Sequence, residues 1–243
     1  MSKYFLSTLC SMLLVTLAHA GGTIYQAGTL IGLMNSHYDG TTTLADLAEK
    51  GDFGIGTING LDGEMVVLDG DFYLSYKKDG SVKIIDGSNE TPFTMVVDFN
   101  PDQEVVLKDI ADLGQLEKAL DQHLASENLF YAIKVTGKFT ELMSRSQANP
   151  DRPYQLGGDH EGEVVNTYSD IEGTLVIFKS PAFASPMTAP GYHLHFISED
   201  RKKVGHVFDV KFDEASADIQ QINDFSLLLP ENEAFLQANL IVN

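Results

Sequence analysis

The stretch of sequence that says most about the fold is residues 191–210, GYHLHFISEDRKKVGHVFDV. Side chains two residues apart on a β-strand point to the same face of the sheet. His193 and His195 are therefore expected on one face, with Tyr192 and Leu194 on the other. This alternation predicts a strand with the histidines on one face and large apolar residues on the other.

The polar run EDRKK, residues 199–203, favours a hairpin loop between two strands. If the hairpin closes there, His206 lies opposite or diagonal to His195, where cross-strand Cβ atoms are roughly 5 Å apart. Three imidazoles can then meet at one ion, with each nitrogen about 2 Å from it, which suits zinc. Three protein ligands with an open fourth position are typical of a catalytic metal site.

The histidines alone leave two questions open. An all-histidine ligand set also suits iron, manganese, nickel and copper. A single His-x-His pair, without a third histidine, is most often an exposed strand face. We therefore predict a metal site at His193, His195 and His206, and zinc as its first candidate ion.

The pattern along the rest of the chain predicts an α+β fold. The threonines at 41–43 before a run of helix formers, with Gly51 after it, indicate a short capped helix. Leucines with helical spacing predict a second helix over residues 110–124. Strands are expected over residues 72–76 and 82–85 (as a hairpin), 94–99, 129–139, 173–178, 192–197, 206–212 and 225–229, with a long loop over residues 149–170.

These elements suggest two parts after an N-terminal signal. Residues 1–20 combine Lys3, an apolar run and the sequence AHA, which is typical of a cleaved secretory signal peptide. We expect an α+β part over residues 21–150 and a mostly β part over residues 151–243, which carries the histidine hairpin. The signal predicts an exported protein, periplasmic or secreted; if residues 1–20 are not a signal, the expected location is the cytoplasm.

Composition excludes several classes of function. The net charge of −19 argues against nucleic acid and anionic membranes, because both bind basic surfaces. The single cysteine, Cys10, lies in the predicted signal, so disulfides, cysteine ligands and cysteine nucleophiles are not expected.

Two charged residues are candidates for the site. Glu64 follows the glycine-rich stretch GIGTINGLDG, residues 54–63, at a place where a turn meets a strand. Arg145 follows a predicted strand, from which a guanidinium can clamp a carboxylate. On local evidence an ordinary surface position is the better interpretation of both side chains.

Taken together, several motifs resemble the bacterial α-acetolactate decarboxylase family. The resemblance extends over residues 30–239. The motifs are GDFGIGT at residues 51–57, LDGEM at 61–65, LDG at 68–70 with FY at 72–73, GYHLHF at 191–196 and GHV at 205–207.

The resemblance implies a zinc-dependent carboxy-lyase that converts 2-acetolactate to (R)-acetoin and carbon dioxide, with one Zn²⁺ per chain stabilising the enediolate. It implies a two-part α/β fold with a mixed sheet and a smaller antiparallel half-barrel, in a homodimer. The residues that it places at the site are the metal ligands His193, His195 and His206, Glu64 and Arg145 for proton transfer and carboxylate orientation, and Thr57 as a substrate contact.

The sequence departs from the family at its C-terminal end. Family members often carry a tail with a further glutamate near the metal, and residues 238–243, ANLIVN, contain no counterpart. The resemblance therefore implies a site whose fourth side lacks that carboxylate.

Two other classes remain as alternatives. GYHLHFISE at residues 191–199 partly matches the first motif of cupin-type metal-dependent oxygenases, although the glycine is too close to His193 and no second motif follows. A non-catalytic, exported metal-binding protein would carry the same three histidines.

Overall fold

The computed structural model of this protein describes residues 21–76, 80–146, 154 and 163–240. The predicted signal peptide and Cys10 lie outside the described residues, as does most of the 149–170 loop. The strands are β1 Thr23–Ala27, β2 Thr42–Thr43, β3 Phe53–Gly56, β4 Glu64–Leu68, β5 Asp71–Ser75, β6 Val82–Ile84, β7 Glu90–Thr91, β8 Thr94–Val97, β9 Gln103–Ile110, β10 Phe130–Ser146, β11 Val164–Ser180, β12 Gly191–Ser198, β13 Val204–Ile222 and β14 Asp224–Leu228.

The described helices are short and capped by side chains. They are α1 Leu30–Met34, α2 Leu44–Ala48, α3 Leu113–Asp121 and α4 Glu233–Leu236. The predicted cap of α2 is confirmed, because Thr43 and Asp46 bind each other's backbone N–H groups reciprocally. Asp112 caps α3 by accepting from Gln115 N at 2.8 Å.

The first large sheet has seven strands in the order β14-β1-β8-β3-β4-β5-β6. Only the β1–β14 pair is parallel; the other neighbours are antiparallel. The predicted hairpin is confirmed as β5 and β6, with Tyr73 opposite Ile84. β1 and β14, the first and the last strand of the described chain, are neighbours in one sheet.

The second large sheet is antiparallel, in the order β10-β11-β12-β13-β9, and β10 also pairs with β13. β10 pairs with β11 from Tyr131 to Ser146 and with β13 from Phe130 to Arg145, so nearly its whole length lies between these two strands. The α+β class and the mixed first sheet are confirmed, while the half-barrel and the domain division at residue 150 stay predictions. The chain passes from the first large sheet to the second between β8 and β9.

The core lies mainly between the two sheets and under α3. One buried cluster joins residues of both sheets, among them Phe53 and Val66 from the first and Phe178 and Ile197 from the second. A second cluster packs Leu116 and other residues of α3 against the far face of the second sheet. No helix in the described part of the chain is long and apolar enough to cross a membrane.

The structure corrects three predicted elements. Strand β9 was not expected, because its residues are mostly exposed and its apolar residues do not alternate with polar ones. Residues 164–170 were expected in a loop, but they form the exposed first half of β11, where pairing with β10 outweighs their polar composition. Helix α3 begins only at Leu113, since Ile110 ends β9.

Candidate metal centre

The histidine hairpin has the register that the sequence predicts. β12 and β13 pair with His195 directly opposite His206. On the neighbouring strand β11, Phe178 lies opposite His193. Leu194 packs into the cluster under α3, whereas both histidines of β12 point toward the first sheet. The predicted alternation is therefore confirmed.

The three imidazoles form a compact triangle. Ring centroids are 5.2 Å apart for His193 and His195, 5.0 Å for His193 and His206, and 5.4 Å for His195 and His206. One ligand nitrogen from each ring lies within 4.8 Å of the other two, a grouping that could hold a metal ion.

Burial keeps these imidazoles neutral, which is the form that binds metals. Burial, and to a smaller degree the charge of Arg145, lowers the pKa of His193 to about 4. Burial and the neighbouring histidines lower the pKa of His206 far more, and the pKa of His195 is also well below its usual value.

Strand β4 of the first sheet orients His195. The Nδ1 atom of His195 lies 2.8 Å from the carbonyl oxygen of Met65, so this nitrogen donates and Nε2 is left as the ligand atom. The sequence did not predict this contact, because a backbone carbonyl is present at every residue and its position depends on the fold.

Glu64, the first residue of β4, enters the site from the same side. Its Oε2 lies 3.4 Å from His195 Nε2, and the side chain is only 5% exposed. Burial raises the pKa of Glu64 to about 8; Arg145 opposes this shift and Glu163 adds to it. A protonated carboxyl at neutral pH suits a group that delivers a proton.

A glycine turn aims Glu64 inward. Gly63 has φ +112°, and a Cβ atom at this position would lie 1.9 Å from the carbonyl oxygen of Ser75. Thr57 stabilises the same turn, because its buried hydroxyl donates to the Gly63 carbonyl at 2.7 Å. Contact of Thr57 with substrate stays a prediction.

Arg145 reaches the site through a β-bulge. Along β10 and β13, Met143 lies opposite Asp209 but Ser144 lies opposite Val207, so Phe208 is an extra residue. The shift places Arg145 directly opposite His206. Arg145 was expected just past a strand, whereas it lies within β10, inside the extended pairing with β11 and β13.

Two contacts hold the Arg145 guanidinium. Its Cζ lies 5.2 Å from the ring centroid of Phe208, and its Nη1 donates to Glu163 Oε1 at 2.8 Å. Sequence reasoning missed both partners. Glu163 lies in a strongly polar segment with nothing to distinguish it, and the bulge at Phe208 depends on pairing with another strand.

Three buried polar atoms of the site have no hydrogen-bond partner among the described residues. They are Glu64 Oε1, Arg145 Nε and His193 Nδ1. Buried donors and acceptors are normally satisfied, so a group of such atoms around one point indicates a place for a ligand. The donor set of three neutral imidazoles fits a metal ion. The fold and the site thus define an α+β protein with a tri-histidine centre of one buried and two half-buried imidazoles, next to the Glu64 carboxyl and the Arg145 guanidinium.

Comparison with known proteins identifies the family. The family model described as alpha-acetolactate decarboxylase matches residues 24–241. The alpha-acetolactate decarboxylase of Methanosarcina mazei is 40% identical over 223 residues, which cover 91% of this chain and 77% of the relative. That of Bacillus licheniformis is 37% identical over 217 residues, covering 89% and 85% of the two chains.

A solved structure agrees with the sequence relatives. The crystal structure of alpha-acetolactate decarboxylase from Bacillus subtilis strain 168 matches with a TM-score of 0.86 and 35% identity, covering 90% of this chain and 93% of that chain. The chain belongs to the α-acetolactate decarboxylase family, a family of carboxy-lyases.

Proposed function

We propose that this protein decarboxylates 2-acetolactate to (R)-acetoin and carbon dioxide with one Zn²⁺ held by His193, His195 and His206. The observation that carries the proposal is the tri-histidine cluster, of one buried and two half-buried side chains, with Glu64 and Arg145 beside it. Membership of the family and the names of its relatives supply the substrate. Zinc is favoured over other ions because three neutral imidazoles with an open position are typical of catalytic zinc.

The bound metal would supply Lewis-acid stabilisation of the negative charge that remains on the substrate when carbon dioxide leaves. Arg145 would orient the substrate carboxylate through its Nε edge. Glu64, protonated at neutral pH, would deliver a proton to one face of the carbanion that remains after loss of carbon dioxide. The face that receives the proton would determine the chirality of the acetoin formed. Thr57 would line the same turn and accept a hydrogen bond from substrate.

The wider setting of the activity is part of the same proposal. The N-terminal sequence supports export to the periplasm or the medium, and the resemblance to the family supports a homodimer. The acidic net charge gives no support for nucleic acid or membrane partners. Size-exclusion chromatography with light scattering and detection of a processed N-terminus in the exported fraction test these points.

The direct test is acetoin release from racemic 2-acetolactate by the purified protein. We expect (R)-acetoin, loss of activity with a chelator, and recovery on addition of zinc. The His193→Ala, His195→Ala double variant should lose metal and at least about 10³-fold in rate. His123→Ala, at an exposed histidine on the loop after α3, is the matched control and should retain both. Full activity in the double variant would exclude the proposed centre, and tight zinc binding without turnover would favour the non-catalytic alternative.

A further inference from the structure

Arg145 has a long, flexible side chain, and its register opposite His206 does not by itself set the direction of the guanidinium. An arginine has several rotatable bonds, and holding it in one geometry requires contacts at its head group. The structure provides two such contacts, the Phe208 ring and the Glu163 carboxylate.

These two contacts occupy different parts of the guanidinium. Phe208 covers the planar face, with 5.2 Å between Cζ and the ring centroid. Nη1, at one end of the guanidinium, donates a hydrogen bond to Glu163 Oε1 at 2.8 Å. The Nε atom remains buried without a partner among the described residues. The two contacts therefore leave the Nε edge as the part of Arg145 that can receive a ligand.

We propose that Glu163 is a positioning residue, which holds Nη1 of Arg145 so that the Nε edge faces the substrate carboxylate. Pairing of β10 with β11 brings the two residues together. Arg145 lies opposite Val165, and Glu163 is the residue directly before β11. Glu163 acts through Arg145 and is not proposed to touch substrate. The inference rests on the proposed decarboxylase function and adds a residue to its site.

A purely stabilising role for this ion pair would leave the reaction unchanged. The side chains of Arg145 and Glu163 are 22% and 25% exposed, so the pair is half-buried. The chain contains a suitable comparison on the same strand. Glu141 on β10 binds Lys211 at 2.7 Å, four residues from Arg145 and outside the metal centre.

Loss of Glu163 should affect turnover more than binding. Without this carboxylate the Arg145 charge is less neutralised, so the negative substrate is still attracted. What is lost is the orientation of the guanidinium, and misplacement of a substrate-orienting group lowers kcat. For Glu163→Ala we expect kcat to fall about tenfold with KM changed less than about threefold.

The kinetic experiment compares three variants of the zinc-loaded, full-length protein with the wild type in acetoin release. Glu163→Gln keeps an oxygen acceptor for Nη1 and should recover kcat to within about threefold of the wild type. Glu141→Ala should match the wild type in both kcat and KM. Thermal unfolding of all three identifies any loss of folded protein. Wild-type kcat in Glu163→Ala overturns the inference.

A second measurement does not depend on turnover. The sequence contains three arginines, Arg145, Arg152 and Arg201, so arginine labelled with ¹⁵N yields few Nε–H signals. Lactate, a simple 2-hydroxycarboxylate, should shift the Arg145 signal in the wild type and in Glu163→Gln. In Glu163→Ala that signal should move or broaden before lactate is added.

The two measurements separate the two proposals. A wild-type protein that releases no acetoin contradicts the decarboxylase function, and the Arg145 signal still tests the positioning. An active wild type with an identical Arg145 signal in Glu163→Ala contradicts the positioning alone.

Discussion

Two clusters of polar side chains lie on opposite faces of β12, and they differ in how completely their atoms are paired. Tyr192 points toward α3, where its hydroxyl donates to Asp121 Oδ1 at 2.7 Å. His193, the next residue, points toward the first sheet, and its Nδ1 has no partner among the described residues. One residue along a strand thus separates the α3 contact cluster from the proposed metal centre.

The cluster on the α3 face is built from groups that satisfy one another. Lys179 is 6% exposed, lies opposite Tyr192 and forms a short ion pair with Asp121, the last residue of α3. Its ammonium group also lies 4.9 Å from the centroid of the Tyr192 ring. These contacts join α3 to the sheet.

On the other face, three buried polar atoms, on Glu64, Arg145 and His193, have no hydrogen-bond partner within the described part of the chain. Unpaired buried groups reduce stability, and they persist where function requires them. Pairing of polar atoms, more than burial or charge, distinguishes the two clusters. A substitution in the paired cluster should lower stability and leave activity unchanged. A substitution in the unpaired cluster should lower activity and leave stability nearly unchanged.

The largest expected effect of a single substitution in this comparison is that of Glu64→Gln. An amide cannot supply the proton, so acetoin formation should fall about 10²- to 10⁴-fold. Because burial already favours the neutral carboxyl, the free energy of unfolding of the metal-free protein should change by less than about 1 kcal/mol. Steady-state kinetics, zinc content and urea unfolding measure the three quantities. Near-normal turnover would show that Glu64 is not the proton donor.

Lys179→Met should show the reverse pattern. The substitution keeps an apolar stem but removes the charged hydrogen bond to Asp121 and the contact with the Tyr192 ring, so the expected loss is about 1–3 kcal/mol of stability. Zinc content and kcat should equal those of the wild type. Urea unfolding and the acetoin assay provide the test, and a loss of metal in this variant would mean that the two clusters are not independent.

The smallest effect is expected for Asp121→Asn, which should change how the free energy of unfolding depends on pH. Burial raises the pKa of Asp121, but the hydrogen bonds from Lys179 and Tyr192 outweigh it, and the net shift is below the usual 3.8. A carboxylate with a lowered pKa stabilises the fold above its unfolded pKa, and this contribution is lost as the pH falls through the folded value.

The difference in unfolding free energy between the wild type and Asp121→Asn should therefore be constant near pH 6 and shrink below pH 3.8. Urea unfolding of both proteins across this range measures it. A difference that does not change with pH would mean that the Asp121 charge contributes nothing to stability.

The predictable part of the fold depended on local patterns. Period-two alternation predicted β12 with its two faces, and the threonines before α2 predicted its cap. Strand β9 and the first half of β11 could not be predicted, because their side chains are exposed and their strand character comes from pairing with distant residues. Such pairing leaves no period in the sequence of the strand itself.

By itself, the sequence determined the three histidines as a group, since their spacing and a polar hairpin loop suffice to bring them together. The resemblance to a family selected Glu64 and Arg145 from other charged residues. The tertiary structure alone decided the surroundings of these residues. Burial between two sheets raises the pKa of Glu64, the bulge at Phe208 places Arg145 opposite His206, and pairing of β10 with β11 brings in Glu163. Each of these depends on contacts between residues far apart in the chain, which local spacing does not encode.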